Sequence, residues 1–211
     1  MDKHKTETIG SLLPQAVPTG PQPLPQQWRH LEPQALKLRA SHTDIDEYKR
    51  AVNPDLQVKY GMQPSRAFGN GAPQLVLLDA AYGENAGVMW LMPQLFAVGE
   101  FAGVREKMDE VQTLELARVI RAKYGFLTVT ELMYFFFNLK AGKYGKFYGI
   151  VDPMVITEAL GEFIDEWQQR HAQIEQAEIR ARREKDERET VALKPHEIET
   201  LRQRLQKEGK I

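Results

Sequence analysis

Three lysines recur at every third position, Lys140, Lys143 and Lys146, interleaved with Tyr144, Phe147 and Tyr148. No acidic residue lies between Lys140 and Val151. Ammonium groups neutralise phosphates, and an exposed aromatic face stacks on an unpaired base for about 1–3 kcal/mol. The chemistry this spacing suggests is contact with single- or double-stranded nucleic acid. The residues that would carry it are Lys140, Lys143, Tyr144, Lys146 and Tyr148. The alternative is a structural turn. In it Gly142, Gly145 and Gly149 supply positive backbone angles, the rings tuck into the core and the lysines are merely solvated.

Other chemistries fare worse. The five histidines stand at positions 4, 30, 42, 171 and 196, without the i, i+4 spacing of a zinc helix, and each reads as a solvated side chain. Cysteine is absent, so disulfides, thiolate metal sites and thiol nucleophiles are excluded. No Gly-x-Ser-x-Gly elbow is present, and no carboxylate pair stands out as acid and base. The reading is non-enzymatic, with no cofactor and no metal. Gly142-Lys-Tyr-Gly145-Lys146 has the wrong spacing for a phosphate loop, lacks the following Ser or Thr, and follows a helix where a strand is required. Gly142 to Gly145 also fits the short clamp of KH domains, but the sheet that clamp needs is not legible.

The loop is held between two helices with clear start signals. Thr128 and Glu131 form a capping box flanked by Leu127 and Leu132, and the helix that follows, LMYFFFNL, is apolar on nearly all sides. It should be the central, buried helix. Beyond the loop, Asp152 caps and Pro153 opens a second helix through Val155, Ile156, Ala159, Leu160, Phe163, Ile164 and Trp167. Past His171 this helix becomes a rod of mixed charge, and Pro195 starts a last short helix with Ile198, Leu201 and Leu205. Upstream, Asp109 and Gln112 form another box, opening a helix with Val111, Leu114, Leu116, Ala117, Val119 and Ile120 that ends at Gly125. This helix and the next have a helix-turn-helix layout, but a second helix made of Phe, Leu and Met offers nothing to base edges.

Before these elements, the apolar run from Leu75 to Phe96 suggests a helix, or two broken near Gly83, with a kink at Pro93 and a turn over Gly99–Gly103. Thr43 is placed to cap a short helix through Ile45 and Tyr48, with Asp46 at its third position. Residues 53–73 read as an irregular connection. Residues 1–40 are rich in Pro and Gln and read as a disordered arm, or as a partner-binding peptide anchored by Trp28 and Leu31. The expected organisation is a flexible arm and linker over 1–72, a helical core over 73–174 and a charged helical tail over 175–211. The fold class is mainly α, a compact bundle of about four to five helices.

The bulk numbers agree with a modest core carrying solvated appendages. Hydrophobic residues make up 42% of the 211 and charged residues 27%, with a net charge of -1. That balance gives no global pull towards nucleic acid or a membrane surface, so recognition must be local. No signal-like or spanning stretch is legible, and the expectation is a soluble cytoplasmic protein without a membrane partner.

From about Pro73 to Arg170 the chain resembles an uncharacterised protein family of prophages and mobile elements in gut Bacteroidales. The residues that carry the resemblance are MWLMPQLFAVGEFAGVREKM, Tyr124-Gly125, LTVTELMYFFFNLKAGKYGKFYGIVDP and ITEALGEFIDEW, most strongly Leu127 to Pro153. The arm and the charged tail contribute nothing to it. The resemblance implies an accessory role in replication, maintenance or regulation of mobile DNA, with replication or other element-encoded proteins as partners, and it carries no catalytic residue across to this chain. The competing expectation is a protein-interaction adaptor that uses the arm and the C-terminal helix.

Overall fold

The computed structural model describes residues 26–69, 71–192 and 195–210. Among these the chain forms ten α-helices, a 3-10 turn over Gln26–Leu31 and no strand. The mainly α expectation is met, with more helices than the four to five anticipated. No helix among the described residues is long and apolar enough to cross a membrane.

The additional helices come from the segment before residue 73. They are α1 (Glu32–Ser41), α2 (Ile45–Ala51), α3 (Leu56–Met62) and α4 (Pro64–Gly69). The expected irregular connection over 53–73 is therefore largely two single-turn-scale helices. Proline punctuates them: Pro54 sits in the turn before α3 and Pro64 takes the first position of α4, where its missing N–H costs nothing. At α2 the cap is Asp44, not Thr43. Asp44 accepts the Glu47 amide at 2.8 Å, and the Thr43 amide and hydroxyl donate to the Glu47 carboxylate at 2.6 and 2.8 Å. The reciprocal pair is displaced by one residue from the expected Thr43 and Asp46.

These short helices help build the core. Tyr48, Gln57, Ala67 and Phe68 are buried, and Leu31 and Ala35 pack with Leu77, Ala80 and Ala81. Buried polar groups tie them down. The Gln57 amide donates to Gln94 at 2.7 Å, Trp90 Nε1 donates to the Val52 carbonyl at 2.9 Å, and the Thr130 hydroxyl donates to the Ala67 carbonyl at 2.8 Å. Packing therefore does not begin at Pro73.

The central elements follow the start signals. α5 (Leu75–Tyr82) stops at Gly83, α6 (Ala86–Ala102) runs through Pro93, and α7 (Glu110–Tyr124) opens with the Asp109–Gln112 box. The expected turn at Gly99 falls later, at Gly103, because Glu100 to Ala102 complete the helix. α8 (Val129–Lys140) opens with the Thr128–Glu131 box and packs against α3, α4, α6 and α9. Leu132, Met133, Phe135 and Phe136 on α8 are fully buried, each worth about 1.5–3 kcal/mol on transfer from water. α3 meets α8 at Gly61, where an added Cβ would lie 2.0 Å from Phe137 Cγ, so only a glycine permits this approach.

α9 (Pro153–Ala192) is 40 residues long, capped by Asp152, which accepts the Met154 amide at 2.8 Å. Its first turns bury Ile156, Ala159, Leu160 and Phe163. Every side chain from Glu175 to Arg188 is exposed. α10 (Pro195–Lys207) follows. Of the arm expected to be disordered over 1–40, residues 26–40 form the 3-10 turn and α1, whose Leu31 and Ala35 are buried; the sequence before residue 26 and the Trp28 side chain lie outside the described residues.

Candidate functional site

The junction between α8 and α9 is where the sequence concentrates unusual chemistry. Its backbone turns through Gly142, Gly145 and Gly149, with φ of +78°, +107° and +80°. Its last part lies beside Glu106, which donates its amide to the Gly149 carbonyl at 3.3 Å and accepts from the Val151 amide at 3.0 Å. These two bonds make an isolated parallel bridge between Glu106 and Ile150, just before Asp152.

The side chains do not form one surface. Tyr144 turns inward and stacks on Phe135 with ring centroids 5.6 Å apart, and its hydroxyl donates to Glu166 at 3.0 Å. Burial, with the Glu166 carboxylate beside it, pushes the Tyr144 phenol upward, so it stays protonated. It has no free face for a base. Lys143 pairs with Glu166 on α9. Lys140 is half-buried, with its ammonium 5.6 Å from the Phe101 ring centroid, and burial lowers its pKa. Lys146 and Tyr148 are exposed, Tyr148 at 83%. Of the five residues expected to contact nucleic acid, Lys143, Lys146 and Tyr148 are exposed, Lys143 with its ammonium engaged by Glu166, while Tyr144 is buried and Lys140 half-buried. Tyr144 goes inward because the apolar floor of Phe135 and Phe163 and the Glu166 acceptor stabilise its ring and its hydroxyl together.

Glu166 is the centre of a clasp that closes α9 onto α8. Its Oε1 accepts from the Tyr134 hydroxyl at 3.1 Å and from Arg170 Nε at 2.9 Å; its Oε2 accepts from Tyr144 and Lys143. Burial alone would raise this carboxyl, but the hydrogen bonds from Lys143, Arg170 and Tyr144 overturn that and hold it at about 2. Arg170 also covers the rings of Phe68 and Tyr134, at 5.2 and 5.3 Å. With its acceptor sites taken by four donors, Glu166 has no lone pair left to act as a base. One turn away, Glu131 Oε1 lies 2.6 Å from His171 Nε2, and its Oε2 accepts the Thr128 amide at 2.8 Å. His171 also packs against Trp167, with ring centroids 4.2 Å apart. The solvated reading does not hold for this histidine. These contacts do structural work, and no group of His, Asp or Glu among the described residues is placed to hold a metal.

Glu166 and Arg170 stand at i, i+4 on a helix face that borders the apolar stripe, a spacing that favours pairing. That signal was available in the sequence. The partners Lys143, Tyr144 and Tyr134 were not, since they arrive through the turn and from α8.

Leu31 is not available as a partner anchor either; its side chain is buried against Ala35 and Leu77 in its own chain. Two other apolar surfaces are uncovered. The first is a groove of about 510 Å³ between α7 and the start of α9, lined by Val111, Leu116, Val119, Lys123, Met154 and Thr157 among others. Val111, Val119 and Met154 are 68%, 47% and 63% exposed, so the two valines belong to a surface and not to the core. The second is α10, where Ile198, Leu201 and Leu205 recur at i, i+3 and i+7 on one face. Ile198 and Leu201 are 43% and 50% exposed.

Residues 107–210 match the model of DUF6633, a family of unknown function. The matched stretch begins just before the α7 cap and runs past α10. The charged tail is therefore inside the matched unit, contrary to the narrower stretch that carries the sequence resemblance. No curated protein matches the chain. No solved structure matches it.

Proposed function

We propose that this protein is an interaction scaffold: a rigid helical body that holds a long charged helix and an amphipathic terminal helix out for protein contact. The observation that carries this reading is α10. Its leucine and isoleucine stripe is half-exposed beyond a 40-residue helix whose side chains from Glu175 to Arg188 are all exposed. A helix of this pattern is stable chiefly when its apolar face is covered. The clasp on Glu166 fixes the direction in which α9 leaves the body, and so where α10 is presented.

The test is co-purification from the native host with the full chain and with an Ile198→Asp/Leu201→Asp double variant. Loss of the captured proteins with the variant, at unchanged helicity, supports the scaffold. Capture of the same proteins by both forms overturns it.

A second reading keeps nucleic acid as a ligand, and a specific observation favours it. Lys146 and Tyr148 are exposed together, and Phe101, 64% exposed, lies under Lys140 near the same junction. Single-stranded DNA binding by the wild type and by Lys146→Ala/Tyr148→Ala, at two salt concentrations, tests it. Affinity unmoved by both salt and substitution removes this role. An accessory role in replication, maintenance or regulation of mobile DNA, the setting implied by the resemblance, fits either reading.

A further inference from the structure

From the groove and the terminal helix we infer that two copies of this chain pair by exchange, each seating its α10 in the α7–α9 groove of the other. The inference deepens the scaffold reading above, since it names what covers the α10 stripe.

The same chain cannot fill its own groove. Met154 is at the start of α9, and 40 residues of helix place Ala192 about 60 Å away. α10 is about 20 Å long, and the two-residue connection adds about 7 Å. Folded straight back, α10 stops about 30 Å short of the groove. A second copy with its α9 antiparallel to the first has no such deficit. The C-terminal end of each long helix then lies beside the start of the other, and the exchange occurs twice about one two-fold axis. Such a contact closes on itself and builds a dimer, not a filament.

Charge favours the same arrangement. From Pro153 to Gln169, α9 contains Glu158, Glu162, Asp165 and Glu166 and no lysine or arginine. Its basic residues, Arg180, Arg182, Arg183, Lys185 and Arg188 among them, all lie from Arg170 onward. Glu175, Glu178, Glu184, Asp186, Glu187 and Glu189 balance these, so the two rods neither attract nor repel strongly, and the complementary charges are those at the groove and on α10. At the groove, Glu115 lies on the lining, Glu110 on the preceding turn of α7, and Glu158 one turn beyond Met154. The α10 stripe is flanked by Arg202 and Arg204, which reach such a rim while Ile198, Leu201 and Leu205 cover Val111, Val119 and Met154. The family match supports treating these parts as one unit, because residues 107–210 contain the groove and the helix together.

Sedimentation of the full chain tests the exchange. The wild type is expected to sediment as a dimer. Leu201→Asp, which spoils α10, and Met154→Asp, which spoils the groove, are each expected to weaken pairing at least tenfold. Both positions are more than half or half exposed, so the fold should survive, with circular dichroism as the control. Mixing the two variants leaves one intact groove facing one intact α10. The mixed pair should associate more tightly than either variant with itself. A monomeric wild type overturns the inference, as does a dimer indifferent to both substitutions or a mixture no tighter than its components. The scaffold reading fails separately, through unchanged capture by the Ile198→Asp/Leu201→Asp chain; a monomeric wild type leaves it standing, with α10 free for a different protein.

Discussion

α8 and α10 are of nearly equal length, 12 and 13 residues, and both carry leucines at helical spacing. α8 is apolar on almost every side and is enclosed by α3, α4, α6 and α9. α10 has one apolar stripe, charges elsewhere, and half-exposed leucine and isoleucine side chains. The width of the apolar surface separates them. A helix apolar all round must be surrounded by its own chain, whereas a single stripe is satisfied by one groove, which another molecule can supply. Substitutions in α8 should therefore cost folding, and substitutions in α10 should cost association.

The largest effect is expected at Phe135. Phe135→Ala removes a fully buried ring that also carries Tyr144, and should lower stability by about 3–5 kcal/mol, read from denaturant midpoints. Next is Gly61→Ala, whose new methyl would strike Phe137; forcing α3 off α8 should cost about 1–3 kcal/mol in the same assay.

Glu166→Gln should cost about 1 kcal/mol near neutral pH, discounted because Lys143 is partly exposed and screened. Its signature is the acid limb. The folded carboxyl is held at about 2, below its ordinary value of 4.5. Its contribution is thus complete above about 4.5 and is lost as pH falls towards 2. Between those values the wild type should lose stability that the variant never had, so the two curves converge as the pH is lowered. Smallest on folding is Leu201→Asp, expected to leave the midpoint within about 0.5 kcal/mol of the wild type when both are unfolded at a protein concentration too low for pairing. A large drop in its midpoint would mean that α10 is part of the folded body, and the contrast with α8 would disappear.

Local signals in the sequence were dependable where the physics is local. The boxes at Asp109 and Thr128, the cap at Asp152 and the stop at Gly83 each lie within a few residues of what they fix. The short helices α3 and α4 were hidden because Gly and Pro recur at short intervals across residues 53–73, leaving no run long enough to read as a helix. They are held by distant partners, Gln94, Thr130 and Phe137, that no local pattern reveals. At the candidate site, the basic and aromatic residues were visible but their directions were not. Tyr144 and Lys143 point to Glu166, 22 and 23 residues away. Val111 and Val119 were legible as apolar positions of α7, but spacing alone does not tell a valine that faces solvent from one that faces its own core.

The chain lacks cysteine, so a single introduced thiol reports one position without interference. The most direct measurement mixes a Val119→Cys chain with a Leu201→Cys chain of different tagged mass and scores oxidative cross-linking between them. The exchange account predicts a mixed disulfide product, and none when the second cysteine is placed at the remote exposed Glu84 instead. Equal yields for Leu201→Cys and Glu84→Cys, or no product from either, would contradict the seating of α10 in the groove of a second copy.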